Sequence, residues 1–427
     1  MTNNNQLLQD LASKWILLNQ EVMSLHDRGL YDRAAKTAQK ALDQAEKFDD
    51  PEHPYLAASL NNLAGIYDAQ GRYSEAEPLY RRALEIRERL KGAGHSDVAA
   101  SLNNLAELYR AQGRYEEAEP LYRRSLRILE NTMGAEHPDV ATCMNNLAGL
   151  CDAQGRYGEA EKLFRRAFEI REKSLGKGHP DVAVTLNNIA ALYESQGWYP
   201  EARPLYRRAL SILEKALGPD HPDVATCLNN LAGFYRAQGK HEKAERLYRR
   251  SLDIRKNSLG PEHPHVAASL NNIAELNSAQ GRFSQAEAHF LRSLEILEKT
   301  LGPGHPDVAT GLNNLSGLYV SQGKYDKAVK LCRRALAIRK KALGPWHSHV
   351  AVSLNNLAGI YESMGKLIQA ESVYARSLSI FEKTLGPAHP DVAVCLDNLA
   401  DLYKRMGRQE EAGEAEKRAA RIRAVKE

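Results

Sequence analysis

Between Val98 and Gly113 the apolar side chains fall at Leu102, Leu105, Ala106 and Tyr109. This is the i, i+3, i+4, i+7 spacing that gathers them on one face of an α-helix. Gly113 closes the stripe, as expected where the residue past a helix end must turn left-handed, a conformation cheap only for glycine. A second stripe follows at Ala118, Tyr122, Ser125, Leu126 and Leu129 and stops at Met133-Gly134. The segment therefore predicts two helices, A and B, joined by a tight turn.

The pair recurs. Leu60-Asn61-Asn62-Leu63-Ala64 returns at 102–106, 186–190 (with Ile189), 228–232, 270–274 (with Ile273), 312–316 (with Ser316) and 354–358, and as LDNLA at 396–400, always with a 42-residue period. A glycine keeps the same phase from Gly29 to Gly407, with an alanine five residues later from Ala34 to Ala412. Ten copies without an insertion predict an extension at 1–14 followed by an array at 15–427. Its units are 15–56, 57–98, 99–140, 141–182, 183–224, 225–266, 267–308, 309–350, 351–392 and 393–427. Prolines avoid helix middles: Pro138, Pro180 and Pro222 suit the first turn of helix A. Pro78, Pro120 and Pro204 fall early in helix B, where Ser74 and Glu77 are placed for a capping box.

A chain of 427 residues is too long for one globular core, but a repeat array escapes that limit. Its 7% aromatic content, mostly Tyr, suits thin, evenly spread cores. With 58 basic against 54 acidic residues and no basic block, the charge does not indicate nucleic acid. Met1 to Asp10 is polar, no stretch is apolar enough for a membrane span, and five cysteines show no CxxC pair. These features predict a cytoplasmic protein.

The spacing of Leu60, Leu63, Ala64, Tyr67, Ala76, Tyr80, Ala83 and Leu84 resembles the tetratricopeptide consensus. The expected fold is accordingly all-α, a right-handed α-solenoid of about ten helix-turn-helix repeats. More narrowly, Leu-Gly-Pro-x-His-Pro-Asp-Val-Ala, Leu-Asn-Asn-Leu-Ala and the run 75–87 resemble the repeats of kinesin light chains. That resemblance implies a protein-interaction adaptor binding a peptide, with kinesin heavy chain and cargo as implied partners. A regulatory or assembly scaffold without a motor is the alternative. Kinesin light chains carry an N-terminal heptad coiled coil, whereas residues 1–14 here show no sustained heptads.

Resemblance to tetratricopeptide domains also implies that helix A lines a concave groove. Asn is a poor residue inside a helix, yet Asn62, Asn104, Asn146, Asn188, Asn230, Asn272, Asn314, Asn356 and Asn398 hold one helix A position. Their amides are expected either to clamp an extended peptide backbone or to bond between neighbouring repeats and fix their stacking. Three residues on stand Gly65, Glu107, Gly149 and Ala191; three further stand Asp68, Arg110, Asp152, Glu194 and Arg236. Arg110 and Arg236 are candidate ligand contacts in a groove of alternating sign.

One histidine per repeat, from His53 to His389, precedes helix A. Helices packed roughly 8–10 Å apart would hold these too far from one another to share a metal, so helix capping is expected. The pairs Arg81-Arg82 and Arg123-Arg124 have Glu77 and Glu119 four residues before their first members, predicting intrahelical ion pairs on a solvated face. Cys143, Cys227 and Cys395 share a position with Ser59, Ser101, Thr185, Ser269 and Ser353 and read as small buried fillers. No nucleophile, phosphate loop or metal set stands out, so neither an active site nor a cofactor is expected.

Overall fold

The computed structural model describes residues 2–48 and 53–424, which form twenty α-helices and no strand. The helices come in ten successive pairs. Helix A of the third pair spans Ser96–Ala111 and helix B Tyr115–Met133; the fourth pair is Pro138–Ala153 and Tyr157–Leu175, the fifth Pro180–Ser195 and Tyr199–Leu217. The first helix, Thr2–Asp27, runs without interruption through the predicted extension.

From the second pair onward, each helix A starts on its histidine. His95 has extended backbone, and its Nδ1 accepts a hydrogen bond from the Asp97 amide at 3.1 Å, satisfying one of the donors a helix start leaves unpaired. The same bond recurs at His137, His179 and His221, each time at 3.2 Å. Helix A ends in a Schellman turn: Gly113 has φ +68°, its amide bonds the Arg110 carbonyl, and the Arg114 amide reaches Tyr109. Helix B of the second pair begins directly at Tyr73, which puts Ser74 inside the first turn rather than at the cap. The anticipated capping box does not form; the cap residue is Arg72, whose guanidinium grips Glu75.

Packing follows the two stripes. Leu102, Val98 and Ala99 of the third helix A meet Ile128 and Leu129 of helix B and Val140, Ala141 and Met144 of the next helix A in one buried cluster. Each pair thus covers apolar surface its neighbour would otherwise expose, at about 1.5–3 kcal/mol per large side chain.

The chain divides into two compact units, 1–269 and 270–427. Within the first, the turn of the first pair meets the loop before the seventh. A Cβ on Gly29 would lie 2.8 Å from Pro264 Cδ and 3.0 Å from His263 Cδ2, and the His263 ring hydrogen-bonds the Asp27 backbone. His263 is consequently 5% exposed, against about 40% for the His221 side chain. The second unit repeats the architecture, with its own core joining Val350, Leu354, Phe381, Val392 and Ile422.

Candidate functional site

Two cavities lie side by side along helix A of the third and fourth pairs. The first, about 350 Å3, is lined by Ala99, Ala100, Asn103, Asn104, Leu129, Met133, Thr142 and Cys143, among others. The second, about 300 Å3, takes Glu107 and Arg110 from the third helix A, Asn145, Asn146, Gly149 and Asp152 from the fourth, Asn188 and Ala191 from the fifth, and Phe164 from helix B. Helix periodicity explains the lining, because residues three and four apart share a face. Arg110 and three asparagines, Asn145, Asn146 and Asn188, therefore line one cavity, and Asn104 lines the other.

The asparagines bond to one another. Nδ2 of Asn104 donates to Oδ1 of Asn61 at 3.0 Å, Asn146 to Asn103 at 3.2 Å and Asn188 to Asn145 at 3.1 Å. Asn62 reaches Asn19 in the first pair, Asn314 reaches Asn271, and Asn398 reaches Asn355. The second Asn of one repeat thus ties to the first Asn of the repeat before. Asn187 Oδ1 and Asn313 Oδ1 are buried without a partner, which interrupts the ladder there; Asn313 donates to Ser353 instead. Asn356 is exposed, while Asn230 and Asn272 hold the same half-buried helix A position.

Charges on this face are mostly neutralised locally. Arg110 grips Glu107 through Nε and Nη2, at 3.1 and 2.7 Å, and the Tyr122 hydroxyl donates to the other Glu107 oxygen. Burial alone would lower the Arg110 pKa; the adjacent Glu107 carboxylate more than reverses this. Arg236 lies near Glu194, which also accepts from the Tyr206 hydroxyl at 2.8 Å. Two carboxyls are held above their ordinary range. Asp68 is pushed up to about 6 by burial and by Glu107, with Arg110 opposing, and Asp152 is raised by burial.

Two features escaped the sequence reading. The glutamates expected to serve only their own helix also join neighbours: Glu77 accepts from Arg81, from the Tyr109 hydroxyl at 2.9 Å and from Arg114 of the next pair at 2.6 Å. The other is an alternation every second repeat. Arg87, Arg171, Arg255 and Arg339 donate to Ser101, Thr185, Ser269 and Ser353 at 2.7–2.9 Å. In the intervening repeats Leu129, Leu213, Leu297 and Phe381 accompany Cys143, Cys227, Gly311 and Cys395. Arg171, Arg255 and Arg339 are 5–6% exposed, with hydroxyl and carbonyl acceptors. Burial lowers the Arg255 and Arg339 pKa values to about 10. The mixed Ser, Thr and Cys occupancy of one position was the available signal.

All five cysteines are buried and free. No described helix is long and apolar enough to cross a membrane. Among the described residues no three His, Cys, Asp or Glu side chains converge as a metal would require.

A tetratricopeptide repeat family model matches at 16–89, 97–173, 153–215, 181–257, 227–299, 265–341 and 349–424, and a second tetratricopeptide model matches at 57–127. Curated proteins give no match. Among solved structures, BtubC (BKLC) from P. vanneervenii is 29% identical over 54% of this chain and 92% of its own, with a TM-score of 0.45. A putative kinesin light chain of P. anserina with nearly identical repeats is 28% identical over 48% of this chain and 98% of its own, TM-score 0.40. A Rap protein complexed with competence and sporulation factor, 16% identical, aligns over 98% of this chain and 99% of its own with a TM-score of 0.57, a likeness of fold. With helix pairs in tandem and family matches along nearly the whole chain, the protein belongs to the tetratricopeptide repeat family.

Proposed function

We propose that this protein is an interaction scaffold whose helix A surface holds a segment of a partner protein. The observation that supports this most directly is the adjacency of the two cavities. One is bordered by Leu129 and Met133 with Asn103 and Asn104, and the other by Arg110 and Asp152 with Asn145 and Asn146. A segment lying across them would set an apolar side chain in the first and polar groups in the second, the division of labour found in peptide grooves. The amides of Asn104, Asn146 and Asn188, each spending one donor on the neighbouring repeat, retain a second N–H for a peptide carbonyl.

The test is selection of random linear peptides displayed on phage against the full chain. Ala100→Trp, which fills the first cavity, and Arg110→Ala should each weaken binding of a selected peptide about tenfold or more, while Arg82→Ala on helix B leaves it unchanged. Equal binding by all three variants would remove the groove from the account.

The finer reading is an adaptor joining cargo to a microtubule motor in the cytoplasm, and it rests on the kinesin light chain phrases in the repeats. Pull-down of a kinesin heavy chain by the folded protein supports it. Absence of association favours the regulatory or assembly scaffold.

A further inference from the structure

We propose that the cavity at Asp152 receives a basic side chain, lysine or arginine, of the partner segment. This deepens the groove reading and rests on it. The fourth pair lacks a hydroxyl that other pairs supply. In the third, fifth and ninth pairs a helix B tyrosine serves a carboxylate of its own helix A: Tyr122 donates to Glu107, Tyr206 to Glu194 at 2.8 Å and Tyr374 to Glu362 at 3.2 Å. The fourth pair has Phe164 in that place, buried and wholly apolar. Its acid, Asp152, finds no hydrogen-bond donor for its side chain among the described residues, although it is half-buried.

The surroundings sharpen the deficit. Glu107 is matched by Arg110 and Tyr122, which leaves Asp152 as the unmatched charge of this cavity. Burial raises its carboxyl, as expected of a desolvated acid lacking a donor. Gly149, one turn earlier on the same helix, contributes no side chain and would have open space beyond its Cβ position. Ala191 contributes only a methyl group to the lining. The resulting volume of about 300 Å3 is open to a long side chain. A carboxylate stripped of water and offered no internal donor gains most from a cation bringing several N–H groups, which describes ammonium and guanidinium.

The experiment uses the full chain and a phage-displayed library of random linear peptides. Peptides selected by the wild-type protein should share a lysine or arginine at a fixed place. A synthetic copy of the strongest should bind Asp152→Asn about tenfold more weakly, and Phe164→Tyr similarly, since the restored hydroxyl would occupy the acid as Tyr206 occupies Glu194. Changing the basic residue of the peptide to glutamine should cost the same factor, and the two losses should not add. Asp152→Asn keeps the size of the side chain, Phe164→Tyr adds a single oxygen, and circular dichroism confirms that each is folded. Peptides blocked by Ala100→Trp but without a fixed basic residue, or bound equally by Asp152→Asn, would overturn the assignment alone. Failure to select any peptide, or selection indifferent to Ala100→Trp, would overturn the groove reading and this inference with it.

Discussion

Asn188 donates from Nδ2 to Asn145 Oδ1 at 3.1 Å, joining helices A of consecutive repeats on the face that borders the second cavity. Such a bond between half-buried amides contributes about 0.5–1.5 kcal/mol. Asn188→Ala should therefore lower stability by about 1 kcal/mol in urea titration. Asn356→Ala, at an exposed position, should leave the midpoint unchanged. If the amides also hold a peptide backbone, Asn188→Ala will weaken binding of a selected peptide beyond what its small loss of stability explains.

Asp68 links the same face to pH. Its carboxyl is raised from 3.8 to about 6, by burial first and then by Glu107. An acid with a raised pKa in the fold binds more protons folded than unfolded, so it opposes folding once ionised. Its contribution to stability falls as pH rises from 3.8 to about 6 and is flat above. Asp68→Asn should raise stability by about 1–3 kcal/mol at about pH 7, with the gain vanishing near pH 4. Melting curves of the two proteins across that range provide the check.

His263 works in the opposite direction. Its pKa is lowered from 6.5 to about 4, mainly by burial, with His265, Arg255 and His26 adding repulsion and the Asp27 backbone bond opposing. The unfolded chain then binds more protons, so stability is fully present above 6.5 and is lost as pH falls towards 4. His263→Gln should flatten that acid limb in melting experiments. Gly29→Ala, which combines a φ of +67° with a Cβ 2.8 Å from Pro264 Cδ, should destabilise the same contact at every pH by about 1–2 kcal/mol or more.

The alternating arginines give a swap experiment. Ser269→Cys alone leaves the buried Arg255 with a poor acceptor and should cost about 1–3 kcal/mol. Adding Arg255→Leu recreates the Leu-with-Cys combination of Leu213 and Cys227. The double variant should recover most of that loss, because removing a buried charge together with its partner is often neutral. Denaturant midpoints of the two variants decide the point.

Much of this architecture is legible in one repeat of sequence. The helix stripes, the turn glycines and the capping histidines each follow from local chemistry repeated at a fixed phase, so ten copies reinforce one reading. The misread cap at Ser74 arose because the Schellman turn feeds straight into helix B at Tyr73, leaving no room for a separate cap residue. What stayed hidden depends on relations between repeats. The pairing of Asn188 with Asn145 and of Glu77 with Arg114 requires knowing how neighbours stack. The Arg255–Ser269 alternation vanishes when all repeats are read as one consensus. Within the site, the positions of Arg110 and Asp152 were visible, but the importance of Phe164 was not, because a Tyr-to-Phe change looks conservative until the acid it leaves unserved is located.

On this reading helix A, and not helix B, carries the binding surface. A photo-crosslinking group placed in a peptide selected by the full chain, followed by mass mapping of the adducts, tests it most directly. The account predicts adducts within Ser96–Ala111, Pro138–Ala153 and Pro180–Ser195, lost when unlabelled peptide is added in excess. Adducts concentrated on the exposed arginine face of helix B, around Arg81 and Arg123, would contradict it.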